Sequence, residues 1–342
     1  MPAITITDLQ RLAVTYQSDM RYLPYAVLFP VLAEHGITLF PGIQDTHKLI
    51  EFQRKQGIAK PYSTSETLEN SDVGKVKEHA LKVETAYARV LDNIKNYKEV
   101  IMVKPNEMIG ANKTKKNPFE IQLMMAMVRT FGEDILDALF PAERDATDHS
   151  PMGLFDGFET KLLALISAGE VASGKGNYLA SGTMDAPSSA SDTDAYDNLV
   201  TWLKGADPYL LKNSELLMPR AIANNCYQAM KNKTAQKAAT FIDFQEYLQD
   251  DVDSQSRIRI IPSRYMGTGD RLVLKDPDLF HFGMNSMGDE TFVQIMPKDG
   301  DPNQFYYWIQ GDYGVRVSST HKKRLFTNDG TLTANRLSGD YS

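Results

Sequence analysis

The chain has 342 residues, 42% of them hydrophobic and 24% charged, with a formal net charge of -7. This is a globular balance, long enough for two or three packed sub-domains, and its acidic sign argues against a protein whose task is to grip nucleic-acid phosphates. One cysteine, Cys226, excludes an intrachain disulfide, and no run approaches the roughly 18 apolar residues of a membrane span.

The opening MPAITITDLQRLAV lacks the basic-then-apolar pattern of a secretion signal, so a cytoplasmic site of synthesis is expected. A helix is predicted after a cap at Thr7 or Asp8, with Leu9, Leu12 and Tyr16 at helical spacing. Pro24 and Pro30 divide the apolar run YLPYAVLFPVL, so broken pieces are expected there rather than one continuous helix. An extended segment, ITLFPGI, follows.

Residues 46–103 change character. HKLIEFQ reads as a strand, and GKVKEHALKVETAYARVL alternates. His79, Leu81, Val83, Thr85 and Tyr87 are expected on one face, with Ala80, Lys82, Glu84 and Ala86 on the other. Helix is the competing reading of 76–91, because Ala, Lys, Glu and Leu favour it. The polar stretch between the strands makes the whole a long, exposed, two-stranded arm. Such an arm is marginal alone in water and needs a neighbour. Leu81, Val83 and Tyr87 are therefore candidate inter-subunit contacts.

A basic loop, GANKTKKNP, precedes the clearest helix of the sequence. Asn117 is placed to cap it and Pro118 suits its first position. Phe119, Leu123, Met124, Met127, Val128, Phe131, Ile135, Leu136 and Leu139 form its apolar stripe until Pro141. A small, polar surface loop is expected at 172–192. Helices are predicted from Asp194 to Lys204 and from near Pro219 through Ile222, Cys226 and Met230. Short strands then run to the C-terminus: RIRIIP, RLVLK, TFVQIM, QFYYWIQ and GVRV. Helices and strands lie in blocks, so the expected class is α+β.

Chemistry is sparse. The six histidines are scattered, and one cysteine cannot build a zinc knuckle, so neither a metal nor a cofactor is expected. SGKGN around Lys175 departs from a phosphate loop because Gly176 follows the lysine where Ser or Thr is required. Asp251, Asp253 and Gln255 begin like a calcium loop, but Ser256 and Pro262 stand where Gly and Glu are needed. Cys226, on an apolar helix face, reads as a core residue. No catalytic constellation emerges, and no enzyme activity is expected. Arg257–Ile260 and Leu272–Leu274 read as alternating strands around a turn, with Asp276 and Asp278 as turn acceptors.

The order of these elements resembles the major capsid proteins of tailed bacteriophages, which share the Hong Kong 97 fold. The stretches that carry the likeness are SELLMPRAIANNCYQAMKN, RIRIIPSRYMG, RLVLKDPDLFHFGMN and DPNQFYYWIQGDYGVRV. The resemblance implies an N-terminal arm at 1–45, an extended hairpin loop at 46–103, and a spine helix with the first part of a peripheral domain at 104–185. An axial domain at 186–256 and a return through it to C-terminal peripheral strands at 257–342 complete the plan. It also implies a virion head protein assembled in the host cytoplasm, forming hexamers and pentamers of an icosahedral shell. That shell would enclose double-stranded DNA without sequence-specific binding or a membrane, using a separate scaffolding protein, or none, and a portal. The alternatives are an encapsulin-like compartment shell, and an enzyme with a site near Lys175.

Overall fold

The computed structural model describes residues 17–54, 74–93, 119–234, 240–285, 293–299 and 301–333. The expected caps at Thr7 or Asp8 and at Asn117–Pro118, and the chain joining the two strands of the hairpin, lie outside the described residues.

Helix α1 (Gln17–Glu34) is continuous through Pro24 and Pro30, contrary to the expectation of broken pieces. Pro30 lacks the N–H that would reach the Ala26 carbonyl, but both residues are exposed, so the carbonyl is left open to solvent rather than buried without a partner. Leu28 and Leu32, one turn apart, are buried on the opposite side, where α1 packs against a later helix. Strand β1 (Ile37–Pro41) follows. Strands β2 (Thr46–Arg54) and β3 (Gly74–Lys82) pair as the expected antiparallel hairpin.

Strand β4 (Glu84–Asn93) leaves that hairpin and joins a larger sheet. Helix α2 (Phe119–Ala138) is the predicted long helix, about 30 Å in length. Its stripe is buried at Val128, Phe131, Ile135, Leu136 and, just beyond its end, Leu139. Helix α3 (Phe158–Ser167) was not anticipated. Helices α4 (Asp194–Lys204) and α5 (Pro208–Leu211), strand β5 (Ser214–Pro219) and helix α6 (Arg220–Lys233) follow.

Helix α7 (Phe241–Val252), also unanticipated, opens with a capping box in which Thr240 and Asp243 satisfy each other's backbone N–H. The remaining strands are β6 (Ile258–Ser263), β7 (Thr268–Gly269), β8 (Val273–Lys275), β9 (Phe280–Met284), β10 (Val293–Lys298), β11 (Asp301–Val317), β12 (Leu325–Thr327) and β13 (Leu332–Thr333). QFYYWIQ and GVRV, expected as two strands, are one: β11.

Two sheets organise the molecule. The first runs β1-β9-β11-β10, with β4 also paired to β11. The second, β12-β8-β5-β6, separates two hydrophobic cores. Leu217, Ile261, Val273 and Leu325 face one core, shared with α1, α2, α3 and β11. Leu216, Ile258, Ile260, Leu274 and Phe326 face the other, shared with α4, α6 and α7. Because successive side chains in a strand point to opposite faces, this sheet is a wall buried on both sides.

The edge of the wall at β6 is closed by two glutamines of α7. Gln249 donates to the Ile258 carbonyl at 2.8 Å, and Gln245 accepts from the Ile260 N–H at 3.4 Å. This satisfies backbone groups that would otherwise invite another strand.

Candidate assembly surface

The hairpin is fastened to the body at its root. Glu51 of β2 accepts from Ser319, and His79 of β3 lies 3.2 Å from Glu51 and 3.3 Å from the Arg316 guanidinium of β11. Lys77 adds a 2.7 Å bond to Glu170. The inner face is therefore committed to its own subunit. On the outer face Ile50 is 72% and Val76 63% exposed.

The alternation of β3 carries on through Val83 and then shifts phase. The Val83 N–H turns aside to the Asp45 carbonyl at 3.0 Å, and β4 resumes with Ala86 buried and Thr85 and Tyr87 exposed. Leu81 and Val83 are thus covered within the subunit, in a small core with Ile43, and face inward. Tyr87, expected beside them, points out. Of the three candidate contacts, only Tyr87 is open to a neighbour.

Tyr87 belongs to a platform. Antiparallel pairing places Tyr87, Arg89 and Leu91 of β4 opposite Gln310, Trp308 and Tyr306 of β11, so the six share one face. The Tyr87 and Trp308 rings stack with centroids 5.8 Å apart, and the Arg89 guanidinium lies 4.4 Å from the Tyr306 ring centre. Aromatic rings and arginine carry much of the energy of protein–protein contacts. Sequence reasoning does not single out Tyr306 or Trp308; the signal that could have found them is the alternation in QFYYWIQ.

Among the described residues β4 pairs only with β11. Its other edge borders a groove of about 590 Å3, walled by residues 85–90 and the loop 144–154. Asp134 of α2 lines it. Burial, with Asp137 and Glu133 adding repulsion, pushes the Asp134 pKa up to about 6.

The other residues that the sequence singles out have partners of their own or lie buried. Lys175 lies in a short 3-10 turn, 3.6 Å from Glu170. The neighbouring Asn177 is buried and holds the Glu170 and Thr320 carbonyls at 3.0 and 2.6 Å. Cys226 is fully buried, and desolvation pushes its thiol up to about 12. Asp276 accepts from Arg324 at 3.0 Å. Among the described residues no group of three His, Cys, Asp or Glu is arranged to hold a metal, and no helix is long and apolar enough to cross a membrane.

The charges that sequence reasoning missed lie inside. Arg271 and Lys275, with 0% side-chain exposure, pair with Glu159 and Glu215. In RLVLK and SELLMP the alternation was legible, but the face opposite the leucines borders a second core rather than solvent.

No protein-family model matches the chain, and no curated protein matches it. Solved structures do. A chain of the capsid of Myoviridae phage XM1 is 11% identical, with a TM-score of 0.53 over 88% of this chain and 92% of that one. A chain of the satellite phage P4 procapsid including size determination (Sid) protein is 13% identical, with a TM-score of 0.54 over 89% and 90%. A chain of the capsid of the empty GTA particle is 11% identical, with a TM-score of 0.51 over 88% and 96%. At such identities the likeness concerns the fold alone: this is an α+β chain with a fold resembling the Hong Kong 97-type capsid architecture.

Proposed function

We propose that the chain is a shell-forming major capsid protein, many copies of which build an icosahedral head around double-stranded DNA. The observation that carries this reading is the end-to-end likeness to capsid structures, which span 88–89% of this chain and 90–96% of their own. A whole plan is shared, rather than a local motif. In that plan the core around α2 and β11, with β4, is the peripheral part, the core around α4, α6 and α7 the axial part, and the β2–β3 hairpin supplies the extended loop. The open outer face of the hairpin and the Tyr87–Trp308 platform supply apolar surface for neighbouring copies. The net charge of -7 suits a wall against which packaged DNA lies without sticking.

Hexamers and pentamers, a scaffolding protein and a portal belong to this reading, as does location in the virion. Sedimentation and negative-stain microscopy test it, with the chain expressed alone and together with its neighbouring structural genes. Rings or closed shells are expected. A strictly monomeric species under every such condition sinks the proposal, and particles filled with protein cargo instead of DNA redirect it to a cellular compartment.

A further inference from the structure

The wall sheet meets the α1/α2/α3 core through a face that is only partly apolar. Across three adjacent strands, Arg259, Glu215 and Lys275 stand in register as one charged rung. Beside it Ile261, Leu217 and Val273 form an apolar rung. Arg271, just before β8, lies at the far end of the same face.

Directional bonds run from both ends of this face to the end of α1 and the start of α3. Lys275 donates to the Glu215 carboxylate at 2.6 Å and to the Gly36 carbonyl, just past α1, at 2.8 Å. His35 bonds the Ser263 hydroxyl of β6 at 2.8 Å. Arg271 grips Glu159, in the first turn of α3, through Nε and Nη2 at 2.9 Å each, and its Nη1 donates to the Asn328 carbonyl. The fit at Gly36 is close: a Cβ there would lie 1.9 Å from the Glu215 carboxylate, and its φ of +58° favours glycine.

Apolar contact is non-directional and tolerates sliding, whereas a forked arginine–carboxylate pair and a buried ammonium fix position and angle. Replacing a buried ion pair by apolar residues of similar volume is often neutral for stability. Stability alone therefore does not explain why these charges sit inside. We infer that Arg271–Glu159, Lys275–Gly36 and His35–Ser263 are positioning contacts that set the angle between the two cores, and through it the curvature at which copies of this chain meet. The second half of this inference rests on the shell reading; the first does not.

Two readouts separate them. Spin labels at Arg129→Cys on α2 and Ile242→Cys on α7 report the distance between the two cores in the free subunit. Cys226, fully buried, stays unlabelled. The wild-type chain is expected to give one narrow distance. The pair Arg271→Met with Glu159→Leu, and the milder Ser263→Ala, are expected to lose it and give a broad distribution. In assembled material the same variants are expected to give particles of mixed diameter where the wild type gives one size. Should the paired variant fail to fold, Ser263→Ala, which deletes one hydroxyl, decides alone. Folded variants with the wild-type distance overturn the inference. A broadened distance with particles of unchanged diameter overturns its curvature half. A wild-type chain that stays monomeric even with its neighbouring structural genes ends the shell reading, and the distance measurement still decides the positioning contacts.

Discussion

Glu215 faces Lys275 across adjacent strands, their charged ends 2.6 Å apart and their side chains 7% and 0% exposed. Burial pulls the Lys275 pKa below its ordinary value, while Glu215 opposes that shift. Removing Lys275 leaves the buried Glu215 carboxylate with only the half-exposed Arg259, at 3.3 Å, and leaves the Gly36 carbonyl without its donor. Lys275→Ala is expected to cost about 3–5 kcal/mol, whereas Lys275→Met combined with Glu215→Leu should stay within about 1 kcal/mol of wild type or exceed it. Urea midpoints at constant m-value give the comparison. Equal losses in the single and double variants would mean that the two residues do not act as a pair.

Phe131 is 3% exposed on the inner side of α2, with its ring centre 6.1 Å from that of Tyr313. Truncation removes apolar burial and leaves a cavity. Phe131→Ala is expected to cost about 3–5 kcal/mol, read as a lowered melting temperature. An unchanged melting temperature contradicts the packing described for α2.

Asp134 supplies a pH signature. Its folded pKa of about 6 lies above the roughly 3.9 of an unfolded aspartate. The folded state therefore holds the proton more tightly. The associated stability is fully present below about pH 4 and is lost as pH rises through about 6. Asp134→Asn should stabilise the subunit at pH 8 by about 1 kcal/mol, a figure reduced for the solvent the group still meets, and by much less at pH 4. Denaturant titrations at the two pH values check this. An equal gain at both would show that the carboxylate's charge is not the cause.

Tyr87 is 56% exposed, so Tyr87→Ala loses mainly its ring stack with Trp308, about 0.5–1.5 kcal/mol. Subunits should remain folded, while shell yield at a fixed concentration falls well below wild type. Unchanged yield, measured by sedimentation, removes Tyr87 from the assembly surface.

The chain between β2 and β3 makes a parallel case. Replacing 56–73 with a short Gly-Ser turn should leave the subunit cooperatively folded and block shell formation. A subunit that no longer folds would place that segment in its own core.

Much of the architecture was legible because it follows from periodicity. The bounds of α4, the stripe of α2 and the pairing of β2 with β3 all come from where apolar residues recur. Tertiary packing decided the remainder. The α1 helix continues through Pro30 because Leu28 and Leu32 anchor it and the Ala26 carbonyl left without a partner lies on its exposed side. Tyr87 lies on the opposite face from the one expected, because one backbone bond at Val83 shifts the phase, which no count of alternating residues can reveal. Arg271 and Lys275 look like solvent-facing positions of a half-exposed strand. Only the presence of a second core behind the sheet makes them interior, and that is a property of the assembled fold.

The doubly buried wall has a consequence for how the chain unfolds. Slipping β5 or β8 by a single residue would drive Glu215 and Lys275 into the α4/α6/α7 core and push Leu216 and Leu274 out of it, spoiling both cores in one step. Register is thus proofread from two directions, and neither core can be lost while the other keeps its floor. Although two hydrophobic interiors lie on opposite sides of the wall, they are expected to melt in one cooperative transition, and one-residue insertions in these short strands should be tolerated far less than insertions in the loop at 172–192.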